Sequence, residues 1–263
     1  MKKKDYLHLT STAYNSYLVL EKIKERIALT VENDSINKKE RMSFSNELVQ
    51  YIYNSMYDRL TAGYFWEFFI YNICKDMEEY RFSECSSVSG YMISDEKEIL
   101  ELVDNNKIKT EVYKSISLLE HTFDAVRAFE RLEDRISVEF RFLVVVSAVL
   151  HDFGKCESLK NKIINTKEER MVKHSVSSML YVKHLQDLIA KTIGDCSDME
   201  KAQLDLVEKI KQAVYHHHSE AKPKTIGNVV KKIDQSAREF EFENFRDSAP
   251  QEYTKYMEQC NDK

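Results

Sequence analysis

An apolar run that ends at an ionisable pair is the feature that most constrains how this chain can fold. From Leu143 to Leu150 every residue except Ser147 is apolar, which predicts a helix buried on most sides at the centre of a domain. His151-Asp152 follows directly, and Gly154 is expected to end the helix. Burying a charged group is costly unless it is paired or binds a metal. We therefore expect partners for this pair elsewhere in the chain.

Turn-forming residues are scarce, which limits the fold class. The 263 residues include only 5 Gly and 2 Pro, and no region is rich in both. An all-β protein needs frequent turns between its strands, and these residues usually supply them. The hydrophobic share of 43% is ample for a buried core. The sequence therefore predicts an all-α fold, a helical bundle with an N-terminal helical accessory region.

A serine-rich segment suggests how the chain is divided. Ser86-Ser87-Val88-Ser89 is followed by Gly90, which predicts a linker and a boundary near residues 85–108. The first part is expected to be an accessory region in which no chemistry can be identified. Three parts are predicted in all: the accessory region at 1–108, the domain with the ionisable pair at 109–243, and a polar C-terminal tail at 244–263.

An aromatic cluster in the accessory region, from Tyr64 to Tyr71, has three possible roles. Aromatic side chains can stack on nucleic-acid bases, form a dimer contact, or lie in the core. Because these residues follow helical spacing, the core is the favoured interpretation. A separate helix is predicted over residues 12–29. The oligomeric state is left open.

Charge and hydropathy exclude some partners and locations. The chain carries 39 basic and 44 acidic residues mixed along its length, with a net charge of -5. This gives no support for a strongly basic nucleic-acid surface. No stretch approaches the ~18 apolar residues that suggest a membrane span, so we expect a cytoplasmic protein with no membrane partner.

The five cysteines are widely spaced and odd in number, which indicates reduced thiols. Cys156, next to Lys155, is interpreted as a spectator.

Histidine and aspartate side chains on several predicted helices could join the ionisable pair. Each lies on or beside the apolar face of its helix. The full set is His121, His151, Asp152, His174, one or two of His216, His217 and His218, and Asp234. Imidazole and carboxylate in this ratio suit Fe, Mn, Co, Ni or Zn better than Ca or Mg. Six or seven ligands are enough for two divalent ions, with Asp152 as the shared ligand. Two such ions can bind phosphoryl oxygens and activate a water, while Lys155 offers positive charge to a phosphate.

Taken one at a time, these residues have plainer interpretations. A single histidine on an apolar face is more often a core or surface residue. Asp234 could pair with Lys231 or Arg238, and the three consecutive histidines could form an exposed helix end that favours the helix dipole. Of the three, His217 is expected to point inward most surely, and the sequence does not choose between His216 and His218. His184 is expected to be exposed.

The same residues carry a resemblance to a known family. His121, His151-Asp152 and Asp234 resemble the H…HD…D signature of HD-domain metal-dependent phosphohydrolases, and the continuation to Lys155 is similar to their HD-x-G-K form. His174 and the consecutive histidines resemble the binuclear branch, with its pattern H…HD…H…HH…D. The resemblance covers about residues 110–243.

This resemblance implies roles for the matching residues. His121, His151, Asp152 and Asp234 would hold a first metal, and Asp152 would bridge to a second held by His174 and two of the three consecutive histidines. Lys155 would contact the phosphate. The expected activity is hydrolysis of a phosphorylated small molecule or nucleotide, as a phosphomonoesterase or phosphodiesterase.

Departures from the pattern narrow the substrate and leave alternatives. Cyclic-di-GMP phosphodiesterases of the HD-GYP type carry Gly-Tyr-Pro after the paired histidines, where this chain has Ala221-Lys222-Pro223. Ser117 stands where some members carry a glutamate, so a third metal is not supported. The segment Ile233 to Arg238 resembles the HD region of relaxase-like proteins of mobile elements. A nuclease or DNA-processing module, with nucleic acid as partner, and a non-catalytic scaffold are therefore the alternative functions.

Overall fold

The computed structural model shows a helical protein. It describes residues 41–60, 64–88, 112–163, 173–193, 198–218 and 225–248, with positions 250, 251, 254 and 258. These ranges contain no β-strand, only an isolated bridge between Ser86 and Ser117. They contain eight α-helices of seven residues or more: α1 (Glu47–Tyr57), α2 (Tyr64–Glu79), α3 (Leu118–Leu132), α4 (Val138–Leu150), α5 (Glu157–Ile163), α6 (His174–Ile193), α7 (Asp198–His216) and α8 (Ile226–Ser248). The all-α prediction is confirmed.

Helix α4 is the centre of the bundle. Every residue from Phe142 to Leu150 is buried, and the helix packs against α1, α3, α7 and α8. The apolar run thus forms the helix that its sequence predicts, because a helix covered on most sides has no need for a polar face. The helix ends directly before His151-Asp152, as the sequence predicts, and His151 is its C-cap. The helix stops at Leu150, and a short 3₁₀ turn, Phe153–Lys155, contains Gly154.

The HD turn, residues 151–155, is anchored by an aromatic side chain. The Phe153 ring lies between Phe82, with centroids 4.7 Å apart, and Tyr181 of α6, 4.8 Å away. The Tyr181 hydroxyl donates to Asp76 of α2 at 2.8 Å. These contacts join the turn to α2 and α6, so the ionisable pair is fixed from both sides of the bundle.

The aromatic cluster of α2 belongs to the core, as expected. Phe65, Trp66, Phe68 and Phe69 are buried, and Trp66 makes an edge contact with Phe142 of α4 at 4.9 Å. Helix α1, which begins at an Asn46 N-cap, packs between α2, α3 and α4. The helix predicted over residues 12–29 lies outside the described residues.

The serines predicted to form a linker are packed against the bundle. Ser86 and Ser87 are buried, the Ser87 amide donates to the Ile116 carbonyl at 2.8 Å, and the Leu118 amide donates to Cys85 at 2.7 Å. The strap, our name for residues 85–88, therefore crosses the start of α3. The rest of the predicted linker lies outside the described residues, and the division into domains stays a prediction.

The short helix α5 follows the HD turn, and its Leu159 is buried against the bundle. Helix α8 continues to Ser248 and so includes the first residues of the segment expected to be a tail. Over the part of the chain that the structure describes, no helix combines the length and apolarity needed to cross a bilayer.

Candidate metal centre

His121 is placed by the first turn of α3. Ser117 caps this helix, and it forms a reciprocal pair of hydrogen bonds with Glu120 that fixes the turn before His121. The His121 ring is fully buried, and its Nδ1 contacts Glu241 Oε1 at 2.6 Å. Its Nε2 therefore faces Asp152 Oδ2 and Asp234 Oδ1, each 3.3 Å away.

His151 is oriented in the same way at the end of α4. Its Nδ1–H donates to the Ala148 carbonyl at 2.6 Å, which leaves Nε2 free to face the other ligands. That nitrogen lies 3.3 Å from Asp152 Oδ2 and 3.6 Å from Asp234 Oδ1. A histidine whose second nitrogen is engaged by a carbonyl or carboxylate is the usual arrangement at protein metal sites. We call the cluster His121, His151, Asp152 and Asp234 group A.

A second cluster lies on the other side of Asp152. His174, at the start of α6, has its Nε2 3.4 Å from Asp152 Oδ1. His217 is buried, its Nδ1–H donates to the Val214 carbonyl at 2.5 Å, and its Nε2 is 4.0 Å from the same Asp152 oxygen. His218 completes the cluster, because its Nε2 approaches that of His174 to 2.5 Å. We call Asp152, His174, His217 and His218 group B.

The structure brings two of the three consecutive histidines together and leaves the third outside. Helix α7 ends at His216, and the next two residues lie in a turn. Within a helix successive side chains diverge by about 100°. The turn instead places the buried His217 and the exposed His218 beside His174, with their own ring centroids 3.8 Å apart. His216 is exposed, stacks edge-on with Tyr215, and belongs to neither group. His184 is exposed, as expected.

Asp152 belongs to both groups through different oxygens. Oδ2 faces group A and accepts a hydrogen bond from Lys155 Nζ at 2.5 Å, whereas Oδ1 faces group B. The carboxylate is almost completely buried. One carboxylate shared in this way is the arrangement expected of a ligand that bridges two ions.

Unpaired polar atoms test whether a divalent ion fits this centre. Asp152 Oδ1, Asp234 Oδ1 and His217 Nε2 are buried and have no hydrogen-bond partner among the residues that the structure describes. A buried polar atom without a partner carries an energetic penalty, and a coordinated cation would remove it for all three. The donor set of imidazole nitrogens and carboxylate oxygens also suits a divalent transition metal. The residues therefore fit such an ion.

Group A holds protons in the metal-free protein. Burial and Arg238 both act to lower the pKa of His121, but Glu241, Asp152 and Asp234 outweigh them and raise it to about 10. Burial likewise opposes the charged form of His151, and Asp152 and Asp234 raise its pKa to about 9. Both rings are therefore imidazolium ions at neutral pH when no metal is bound.

Group B is different because burial dominates there. Burial lowers the pKa of His174 to about 4 and that of His217 to about 3. Both rings are neutral at pH 7, with Nε2 available as a ligand. Burial opposes ionisation of Asp152, but His151 and Lys155 hold its pKa well below the usual range. The shared carboxylate is therefore charged.

The sequence interpretation missed residues that support the centre. Glu241 is buried and contacts both His121 and Arg238, whose guanidinium also lies 3.8 Å from Asp152. Asp234 and Glu241 are seven residues apart in α8, so helical spacing places them on one face and could have revealed Glu241. The Ser87 carbonyl accepts hydrogen bonds from Lys155 and Arg238, each at 2.9 Å. This contact could not have been predicted, because no local sequence pattern connects the strap with the centre.

A cavity opens beside group B. Its volume is about 450 Å³, within the usual range of small-molecule sites. His174 and His218 line it together with Glu157, Lys160, Lys173 and Tyr215. The two lysines supply positive charge and Tyr215 an exposed ring, 41% accessible, next to the histidines.

The helical bundle thus carries two histidine clusters that share the buried Asp152 carboxylate and could hold metal ions. The comparison with family models agrees: the HD domain model matches residues 118–250, and the chain belongs to the HD domain family. Members of this family are generally metal-dependent hydrolases that bind divalent ions. Searches of curated proteins and of solved structures gave no match.

Glu241→Gln tests how His121 is supported. The substitution keeps the shape of the side chain but removes the charge that engages His121 and Arg238. Loss of an outer carboxylate typically weakens metal binding roughly 10- to 100-fold, and we expect a decrease of that size in a competition assay with a metal chelator. Glu239→Gln, on an exposed position of the same helix, is the matched control. Equal affinities in the two variants would contradict the assigned role.

Proposed function

We propose that this protein is a metal-dependent phosphoester hydrolase that acts on a nucleotide, as a phosphomonoesterase or a phosphodiesterase. The observation that carries the proposal is Asp152, whose two oxygens face two separate clusters of four ligands. Membership of the HD domain family supports it. Group A and group B would each hold one divalent ion, of Fe, Mn, Co, Ni or Zn.

The protein side of the reaction follows from the contacts of the centre. Bound divalent ions would supply Lewis acidity toward the phosphoryl group and lower the pKa of a water molecule. Asp152 and Asp234 balance the positive charge there, and the hydrogen bonds to His121, His151 and His217 hold those rings in place. Lys155 is the residue proposed to meet the phosphate. When Asp152 is engaged as a ligand, the Lys155 ammonium can donate to a phosphoryl oxygen instead.

The cavity beside group B is proposed to hold the rest of the substrate. Lys160 and Lys173 line its wall together with Glu157, which pairs with Lys160 at 3.3 Å, so the net charge there is positive and favours an anionic ligand. The exposed Tyr215 ring offers an apolar face on which a base can stack. This combination of cations and an aromatic ring next to the ligands supports a nucleotide better than a small inorganic phosphate compound.

Metal analysis followed by an activity screen tests the proposal. The full chain is purified, its divalent metal content is measured, and nucleoside monophosphates, cyclic nucleotides and single-stranded DNA are supplied with added Mn²⁺ or Fe²⁺. We expect bound transition metal and hydrolysis of a nucleotide that stops when a chelator is added. Cleavage of the DNA alone would favour a nuclease. A protein that neither holds nor takes up a divalent ion would refute the proposal.

Metal binding is expected to release protons at neutral pH. His121 and His151, with pKa values of about 10 and 9, must lose the proton on Nε2 to bind an ion, whereas His174 and His217 are already neutral. Because both raised pKa values lie above 7, about two protons should leave at pH 7, and fewer as the pH rises through 9 and 10.

Calorimetric titration of the metal-free protein in two buffers of different ionisation enthalpy measures this release. His151→Ala is the informative comparison, since it removes one of the two protonated rings and should lower the release to about one proton. Metal binding at pH 7 with no proton exchange would contradict the assigned protonation of group A.

A further inference from the structure

Two cysteines lie side by side next to the metal centre. Cys85 in the strap and Cys156 after the HD turn have Sγ atoms 3.4 Å apart, although 71 residues separate them in sequence. Both side chains are buried, at 3% and 0% exposure. Cys156 was interpreted as a spectator because nothing in the sequence indicates its contact with Cys85.

Contacts with Tyr80 and Ser158 fix the positions of the two thiols. The Tyr80 carbonyl lies within sulfur hydrogen-bond range of both, 4.0 Å from Cys85 and 3.6 Å from Cys156. The Ser158 hydroxyl is 3.2 Å from Cys156 Sγ. A disulfide has an S–S length of about 2.05 Å, so the sulfur atoms need to approach by only about 1.4 Å, a distance within reach of small side-chain rotations.

The same strap touches the cations of the centre. The Ser87 carbonyl, two residues beyond Cys85, accepts from Lys155 Nζ and from Arg238, each at 2.9 Å. Arg238 also donates to the Ser87 hydroxyl at 2.8 Å. A bond between Cys85 and Cys156 would therefore tie the strap to the residue that directly follows Lys155.

We propose that Cys85 and Cys156 form a reversible disulfide when the protein meets a small peroxide. The sulfur of Cys156 attacks one peroxide oxygen, the O–O bond breaks, and a sulfenic acid and hydroxide form; the hydroxide takes the thiol proton to give water. The sulfur of Cys85 then attacks the sulfenic sulfur, the S–O bond breaks, and a second water leaves with the remaining proton. Two thiols are oxidised, and one hydrogen peroxide is reduced to two waters.

The contacts favour Cys156 as the first sulfur to react. Hydrogen bonds from Cys85 and Ser158 lower the pKa of Cys156 to about 7, while burial opposes this shift. The Cys85 thiol is the donor in the pair, and that contact together with burial raises its pKa. The thiolate is the reactive form. The burial of both residues makes a small peroxide, and not a bulky disulfide, the suitable oxidant.

The disulfide would hold the strap covalently in the position that hydrogen bonds maintain in the reduced protein. In the reduced protein the strap can release Lys155 when a phosphate arrives, because only hydrogen bonds connect them. In the oxidised protein the covalent link holds Ser87 beside Lys155 and Arg238. The expected loss of activity on oxidation rests on the proposed hydrolase function, whereas formation of the disulfide does not.

Thiol counting with peptide mapping tests the proposal on the full chain. The protein is treated with dilute hydrogen peroxide, quenched with catalase, and its thiols are counted in denaturant. We expect the count to fall from five to three and a Cys85–Cys156 linked peptide, two hydrogen atoms lighter than its reduced parts. Dithiothreitol should restore both peptides. Five remaining thiols, or a sulfinic acid at Cys156 without any linked peptide, would overturn the proposal.

Alanine variants make the assignment specific. Cys85→Ala and Cys156→Ala should each abolish the linked peptide, and Cys74→Ala, at a buried thiol of α2, is the matched control that should keep it. Wild-type mapping alone decides whether the disulfide forms, even if a variant fails to fold. A disulfide that forms in a protein without phosphoesterase activity would refute the proposed function and leave this inference intact.

Discussion

Asp152→Ala is expected to remove divalent metal from both groups and to abolish phosphoester hydrolysis. Asp152 supplies one oxygen to each cluster, so its loss takes a ligand and a negative charge from two sites at once. Removing a single donor that stabilises the transition state commonly lowers kcat about 10²- to 10³-fold. Because Asp152→Ala affects the ions themselves, we expect a decrease in kcat/KM of at least about 10³-fold.

The measurement combines metal analysis with steady-state kinetics on the best substrate of the nucleotide screen. Asp187→Ala, which removes an exposed carboxylate from α6, is the matched control and should change neither quantity. Thermal unfolding of both variants shows whether the fold survives. Retention of two ions per chain by Asp152→Ala would contradict the shared-ligand role, and so would unchanged kinetics.

Gly154→Ala is expected to be the most damaging small substitution outside the ligands. A Cβ built on Gly154 would lie 2.2 Å from the His174 carbonyl oxygen and 2.7 Å from the Ser178 amide nitrogen. Both are backbone atoms of α6, so the clash cannot be relieved by turning a side chain. Overpacking of this kind typically costs up to about 3 kcal/mol of unfolding free energy. The alternative to unfolding is a shift of α6 that carries His174 away from Asp152.

The Ser178 hydroxyl shows how closely α6 approaches the HD turn. It accepts from the Gly154 amide at 2.8 Å and donates to the His151 carbonyl at 2.9 Å. Chemical denaturation of Gly154→Ala should give an unfolding free energy lower by about 3 kcal/mol, with weaker metal binding by group B. Gly227→Ala is the control, because its Cβ would come no closer than 3.3 Å to the Ala213 carbonyl oxygen, with its other neighbours at 3.6 and 3.8 Å. Equal unfolding free energies of the two variants would contradict this prediction, because they would show that α6 moves aside without loss of stability.

The sequence alone predicts those helices whose burial produces a local pattern of apolar residues. The run that forms α4 is apolar at nearly every position, and the aromatic residues of α2 follow helical spacing, so both could be assigned to the core. His121, His151, Asp152, His174 and Asp234 were expected together because each lies next to an apolar stripe, and the structure places them in two adjoining clusters.

Long-range contacts and helix ends were beyond the sequence. The choice between His216 and His218 depends on the residue at which α7 stops, which no local signal marked. Gly154 was interpreted as a helix stop, but its role is to let α6 approach, a contact made by residues twenty or more positions away. The contacts of Ser87 with Lys155 and Arg238, and that of Cys85 with Cys156, also span long separations.

The ending of α7 at His216 links the length of a helix to the number of ions that the proposed centre would hold. In group A, His121 and Asp234 lie within α3 and α8, and His151 and Asp152 follow α4; in group B, His217 and His218 follow the last residue of α7. If α7 continued for two more residues, the His218 side chain would point about 100° away from that of His217. A chain could thus change from two ions to one by lengthening a helix, with every ligand residue retained.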